Sequence, residues 1–335
     1  MKKIFLLFIL TALPLLAQDN NESTPSFFDD SEKKEFYTAS IIVDGEVVNP
    51  GAVDLQMLPL NSFPAKIVAY GKDKNKFIGS YFASGYSLFD IINQKKIMKT
   101  NEAGFKPAVD LYVVVENDKG EKVVFSWGEL FYSKNNYRAV IAKSIRAINP
   151  SKMKMKWALP ESTILICGYD AFNFRTISNP TKITVKSFTG NYSKERVKDI
   201  YAPEFSFVSS DVNVTVNDIS GIEKRKFRGF GYGHGMGWKG IEEVEGFVFK
   251  DVINKYLAID EKQIASTLLC VSAKEGYRVT YSLSEIINRN DMNDFLLIEK
   301  TGSLEEGRYN LFAVPDFFVD RNIRSVEKIE ILNVK

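Results

Sequence analysis

Three blocks of sequence occur twice in this chain, in the same order. Gly85-Tyr86-Ser87-Leu88-Phe89-Asp90-Ile91-Ile92-Asn93 returns as Gly246-Phe247-Val248-Phe249-Lys250-Asp251-Val252-Ile253-Asn254. The stretch from Val113 through Gly120 to Leu130 returns from Leu269 through Gly276 to Ile286. Asp170, Arg175, Ile177, Lys182 and Ile183 return without a gap as Asp316, Arg321, Ile323, Lys328 and Ile329. An ordered recurrence of this kind marks a duplicated structural unit whose copies differ in loop length.

Each block has a legible physical content. Ser126-x-x-Glu129 and Ser282-x-x-Glu285 are capping boxes, so each opens a short helix directly after an apolar strand. Leu88, Ile91 and Ile92, and likewise Phe249, Val252 and Ile253, recur at helical spacing and predict one buried stripe per helix. Lys119-Gly120 and Glu275-Gly276 are turn signals between strands, hence hairpins. Thr181 to Lys186 and Glu327 to Leu332 alternate as half-buried closing strands. Each unit thus reads strand, helix, hairpin, helix, strands. The 25 Phe and 15 Tyr, together with many Val and Ile, favour a strand-rich body.

The boundaries follow from composition. Lys2 and Lys3 precede an apolar run from Ile4 to Leu16, and Ala17 is a small residue suited to cleavage before Gln18. The run falls short of the roughly 20 apolar residues a membrane span needs, so residues 1–17 read as a secretory signal peptide. The mature protein is expected in the periplasm or secreted, with no transmembrane segment. Residues 18–37 form a polar, acidic lead-in expected to be flexible, 38–188 the first unit, 189–203 a linker and 204–335 the second unit. A net charge of +2, from 44 Lys and Arg against 42 Asp and Glu, argues against a nucleic-acid binder working through bulk electrostatics. Cys167 and Cys270 both lie in apolar, strand-like runs and read as two buried thiols. A disulfide between them would have to link the two halves.

The order of the blocks resembles the molybdopterin-binding domain of sulfite-oxidase-type oxidoreductases. Val43-Asp44-Gly45-Glu46-Val47-Val48-Asn49-Pro50-Gly51 is similar to that family's opening strand and turn. Gly85 to Ile92 and Gly246 to Ile253 resemble its G-V-x-L-x-D-L-L helix, and Ala273 to Leu283 resembles its A-x-D-G-Y hairpin. Asp316 to Ile329 resembles the segment after its V-P-G-D turn. The resemblance implies an α+β fold of two tandem sulfite-oxidase-like units, each a mixed sheet with short helices. It also implies a molybdopterin cofactor whose metal is held by a cysteine upstream of the G-V-x-L helix. This chain departs from the family there: residues 41–84 and 205–245 contain no cysteine, and the protein has one histidine. A soft metal centre needs the thiolate. The expectation is therefore a unit of this type without molybdenum, with an oxidoreductase of atypical ligation as the alternative.

One local stretch has unusual chemistry. Lys224-Arg225-Lys226-Phe227-Arg228 leads into Gly229-Phe230-Gly231-Tyr232-Gly233-His234-Gly235-Met236-Gly237-Trp238-Lys239-Gly240. So dense a glycine run carries a high backbone entropy cost in a helix or strand, and the expectation is a loop. Its backbone N–H groups, with the flanking cations, suit an anionic ligand. The candidate ligand-binding residues are Arg225, Arg228, Gly231, Gly233, His234, Gly235, Gly237 and Trp238. A glycine-aromatic corner over a core edge is the bland reading of the same residues. Gly231-x-Gly233-His234-Gly235-x-Gly237 also resembles the G-x-G-H-G-x-G segment of sporulation stage II D-type peptidoglycan lytic transglycosylases, although Trp238-Lys239 stands where that family has methionine-serine-glutamine. A redox site built from His234 and Met236 is a further alternative, and the chain has no Cys-x-x-Cys-His for heme attachment. The sequence thus points to an exported binding or scaffold protein. Its partner would be a small anionic ligand or another periplasmic protein, met by the glycine-rich basic stretch.

Overall fold

The structure, a computed structural model, describes residues 32–150, 155–192, 200–300 and 307–335. The expected signal peptide, most of the lead-in and the middle of the linker lie outside the described residues.

The first half runs β1 (Lys33–Glu35), β2 (Ser40–Gly45), β3 (Gly51–Asp54), β4 (Asn61–Ala69), β5 (Lys76–Ser87) and α1 (Leu88–Ile92). It continues with β6 (Leu111–Asn117), β7 (Lys122–Ser126), α2 (Trp127–Phe131), β8 (Ala139–Ala147), β9 (Leu165–Cys167) and β10 (Pro180–Ser187). The second half runs β11 (Phe205–Val208), β12 (Asn213–Val216), β13 (Lys224–Gly233), β14 (Gly237–Val248) and α3 (Phe249–Tyr256). It closes with β15 (Thr267–Ala273), β16 (Arg278–Ser282), α4 (Leu283–Ile287), β17 (Leu296–Glu299), β18 (Tyr309–Phe312) and β19 (Val326–Asn333).

The sheets come in matched pairs. One has the order β3-β2-β10-β6-β7 and its counterpart β12-β11-β19-β15-β16. In both, the closing strand lies parallel to the opening one, Lys182 beside Ile42 and Lys328 beside Ser206. The other pair consists of β4-β5-β8, with β1 and β9 on the far side of β8, and of β13-β14-β17-β18. β1 places the last residues of the expected lead-in on a sheet edge. The apolar core of each half lies between its two sheets. It gathers Ile41, Leu88, Ile91, Val113 and Phe125 in the first, and Phe207, Phe249, Val252, Val271 and Tyr281 in the second.

Of the described residues, 46% are strand and 14% helix, and the four small sheets follow one another in a propeller-like ring. This overturns the expected α+β fold of tandem sulfite-oxidase-like units. The helix-start signals were sound, since Ser126 and Ser282 accept from the N–H of Glu129 and Glu285. The helices then stop after five residues in α1, α2 and α4, because the apolar stripe behind each cap is a single turn long. Gly120 and Gly276, with φ of 80° and 84°, close the two expected hairpins. Among the described residues no helix is long and apolar enough to cross a membrane.

The two halves share a buried polar centre. Arg175 bonds both oxygens of Asp170, at 2.6 and 3.0 Å, and Arg321 bonds both oxygens of Asp316, at 2.7 and 2.6 Å. The capping serines then cross over. Ser126 donates to Glu285 of the other half at 2.6 Å, and Ser282 donates to Glu129 at 2.9 Å. Arg321 reaches Ser126 at 3.0 Å and both Glu285 oxygens at 3.0 to 3.1 Å. Gly128 makes room for it, since a Cβ there would stand 2.0 Å from Arg321 Cδ. The exchange is not symmetric. Glu285 accepts from Arg321, from the Ser126 hydroxyl and from the Ser282 N–H, whereas one Glu129 oxygen has no aligned donor even though Arg175 Nη1 lies 2.7 Å away. A second tie lies alongside, where Arg278 of the second half and Lys99 of the first both pair with the enclosed Asp110.

Candidate functional site

The glycine-rich stretch is not a loop. β13 and β14 pair over ten residues, from Lys224↔Phe247 to Gly233↔Gly237, and only His234, Gly235 and Met236 form the turn. Alternation explains why so many glycines tolerate a strand. Gly229, Gly231 and Gly233 fall on one face of β13, where Gly229 approaches β18 and Gly231 and Gly233 approach Lys239 of β14. A Cβ on Gly229 would sit 3.2 Å from the Phe312 ring. The glycines therefore permit close approach. Gly237, with φ of 71°, closes the turn, and Gly240, with φ of 110°, takes the bulge that leaves Lys239 unpaired. In such a ladder the backbone N–H groups alternate between the partner strand and the open edge. They do not converge into an anion cradle.

The ribbon sorts the candidate residues onto different faces. Arg225 is ion-paired at the base, with Glu223 at 2.9 Å and with Asp294. Arg228 pairs with Glu243 at 2.8 Å across the strands, both side chains largely exposed. Gly231 lines a groove under the inner face, and Gly233 is buried at the end of the same face. His234, Gly235 and Gly237 belong to the tip. The His234 N–H donates to Asp320 at 2.9 Å, and the His234 ring meets Phe318 edge-on at 5.6 Å. Trp238 lies on the outer face, next to Phe230 with ring centroids 6.5 Å apart. The structure thus does not bring the eight residues to one point.

The hairpin instead presents two surfaces. Its outer face is a row of large apolar side chains: Phe230 is 58% exposed, Trp238 60%, Ile241 59% and Tyr232 40%. Phe317, which the sequence did not single out, extends the row beside Tyr232 with ring centroids 5.7 Å apart. The corresponding hairpin of the first half, β4–β5, shows less apolar surface, with Phe77 44% and Tyr70 39% exposed. Phe77 packs edge-on against Trp157 at 5.0 Å and Tyr70 against Phe172 at 5.2 Å. The second surface is the groove under the inner face, of about 540 Å³, bounded by Val244, Glu245, Ile298, Glu299, Phe312 and Arg324. None of these was a candidate from the sequence, because their contact depends on how β14 meets β17 and β18.

The thiols do not fit a soft metal. Both cysteines are free and buried, with Arg175 donating to Cys167 at 3.5 Å and the Tyr192 hydroxyl to Cys270 at 3.2 Å. Burial pushes both thiols up, Cys270 to about 12, so neither offers a thiolate at neutral pH. Among the described residues no three His, Cys, Asp or Glu side chains come together to hold a metal. Glu129 has a carboxyl raised to about 7, first by burial and further by the negative charges of Glu285 and Asp170. It is enclosed between the two halves, beside Arg175 of its own half and Ser282 of the other.

Compared with protein-family models and with curated proteins, the chain finds no match. The geometry of the site carries the functional reading.

Proposed function

We propose that this chain is an exported binding protein whose β13–β14 hairpin holds another exported protein against its outer face. One observation carries the reading: Phe230, Tyr232, Trp238 and Ile241 form one exposed row on the hairpin's outer face, three of them 58–60% exposed. Contiguous exposed apolar patches mark interaction sites, and Trp and Tyr supply most interfacial hot spots. A small anionic ligand fits less well, since Arg225 and Arg228 already have carboxylate partners and the N–H groups do not converge. The apolar run at residues 4–16 supports an address in the periplasm or outside the cell.

The test is a double substitution, Phe230→Ser with Trp238→Ser, in the full chain. Both side chains are exposed, so the urea midpoint should stay within error of the parent. Affinity for the partner recovered from the host's own periplasm or medium should fall at least about 30-fold, as expected when an aromatic hot spot worth about 2 kcal/mol is lost. Unchanged affinity in a folded double variant would remove the outer face from the binding site. The same reading includes no molybdenum centre. Stoichiometric molybdenum in protein purified from its own host would overturn that part.

A further inference from the structure

Among the described residues the two halves differ at one sheet edge, where the first half has a strand that the second does not. Gly85, Tyr86 and Ser87 of β5 correspond in the repeat to Gly246, Phe247 and Val248 of β14. The next strand docks in the same register on both: Ile141 and Val140 face Tyr86 and Ser87, and Leu297 and Leu296 face Phe247 and Val248. In the first half β8 continues alongside β5, with Ser144 beside Ser84 and Ala147 beside Tyr81. In the second half β17 pairs with β14 at Phe247 and Val248, then turns back into β18. Glu299 faces Tyr309, and the Lys300 N–H donates to Arg308 O at 2.8 Å. Among the described residues, Glu242 to Glu245 therefore have no strand on the side opposite β13.

The 540 Å³ groove lies at that edge. Its apolar wall comes from Val244, Ile298 and Phe312, which belong to one small cluster with Leu296 and Val314. In the first half, Ile145 and Ala147 of β8 fill the matching place and are buried against Phe63, Ala65, Tyr81 and Ala83. Ser144 and Arg146 alternate with them and face outward, half-buried. An open strand edge beside an apolar wall is the requirement for strand addition, in which backbone bonds give affinity and alternate side chains give specificity.

We propose that the groove accepts an extended polypeptide segment of a partner protein, added antiparallel to β14 alongside Glu242–Glu245. The segment has the alternation of β8: a branched or small apolar residue toward Val244 and Phe312 at every second position, and polar residues between. The rim supports polar outward positions, since it carries Glu299 and Glu245 as well as Lys239 and Arg324. This site is separate from the outer aromatic face and goes beyond the reading built on it.

The probe is a fluorescein-labelled peptide with the sequence of residues 142–148, capped at both ends and titrated into the full chain. Fluorescence anisotropy should show saturable binding with a Kd on the order of 0.1 mM. Peptide binding should slow hydrogen exchange at the amides of residues 242–245. A peptide with Arg146→Pro lacks an N–H on the edge that faces β5 in the first half, the edge from which the Ile148 N–H donates to Ser80 at 2.8 Å, and should bind at least about tenfold more weakly. The Phe230→Ser, Trp238→Ser variant should bind the parent peptide unchanged. No saturation up to about 1 mM overturns the proposal, as does proline-tolerant binding or protection confined to the outer face. Loss of peptide binding in the Phe230, Trp238 variant would equally move the contact out of the groove. Either failure leaves the outer-face reading standing.

Discussion

Replacing Arg321 with methionine should destabilise the whole molecule by about 3–5 kcal/mol, the cost of breaking a buried ion pair by removing one partner. The guanidinium is fully enclosed and serves Asp316, Glu285 and the Ser126 hydroxyl at once. It also lies over the rings of Tyr281 and Phe295, at 4.8 and 5.8 Å. Methionine keeps much of the apolar packing but leaves two carboxylates in the interior without a counter-charge. Against a usual domain stability of about 5–15 kcal/mol, this is a large fraction. Urea unfolding followed by tryptophan fluorescence and by circular dichroism measures it. The deletion should act on both halves, because Ser126 belongs to the first and Arg321 to the second. The two probes should therefore move together to a lower midpoint. Adding Glu285→Gln and Asp316→Asn to Arg321→Met should recover most of the loss, since the buried charges then go together. A loss below about 1 kcal/mol, the level of an exposed pair, would show that the centre is hydrated and not enclosed.

The sequence already contains most of this centre. Ser126-x-x-Glu129 and Ser282-x-x-Glu285 are visible as helix caps, and Asp170 and Arg175 recur at the same spacing as Asp316 and Arg321. Their meeting is not visible, because it depends on β7 and β16 lying side by side across the two halves. Local periodicity has no access to a crossover of that kind. A cap predicts one hydrogen bond to its own helix, whereas here each serine hydroxyl also donates to the other half's glutamate. The repeated pairing of a cap glutamate with an Asp-x-x-x-x-Arg motif was the available signal, since a surface salt bridge has little reason to recur in both copies.

The fold class failed for a related reason. Capping boxes and apolar stripes mark where a helix starts and which side it buries, and both were placed correctly. Length is set by the residues beyond the first turn, and Asn93, Tyr132 and Asn288 end their helices there. Strands then dominate the count. Composition alone does not reveal the glycine stretch as a strand. Its glycines at 229, 231 and 233 alternate with Phe230 and Tyr232, a period of two that belongs to a strand with one crowded face. The groove was beyond reach from sequence alone. It arises from β17 turning back early, a difference in loop length between copies that becomes chemistry only once β8 is seen occupying the same place in the first half.

Stability should fall as pH rises from about 4.5 toward 7, and Glu129 should be responsible. Its carboxyl is raised from 4.5 to about 7 in the folded protein, with burial the leading cause; the Arg175 charge opposes the shift, and those of Glu285 and Asp170 add to it. The remaining neighbours fit this account: Ser282 donates to one oxygen, the other has no aligned donor, and Arg289 is engaged by Asp291. Because the folded-state value lies above the unfolded one, the folded protein holds an extra proton between the two. Raising the pH through that window therefore favours the unfolded chain. The slope is about 1.4 kcal/mol per pH unit, or about 3 kcal/mol over the window. Asp170 and Asp316 are also raised by burial, so they add to the slope in the same direction. Glu129→Gln separates the contributions. The amide stays neutral at every pH, accepts from Ser282 as the acid does, and no longer presents a charge to Glu285. Its urea midpoint should match the parent near pH 4.5 and exceed it at pH 8, with the difference growing across the window. A constant difference between the two proteins from pH 4.5 to 8 would mean that Glu129 is ionised throughout, and that Arg175 neutralises it despite the missing alignment.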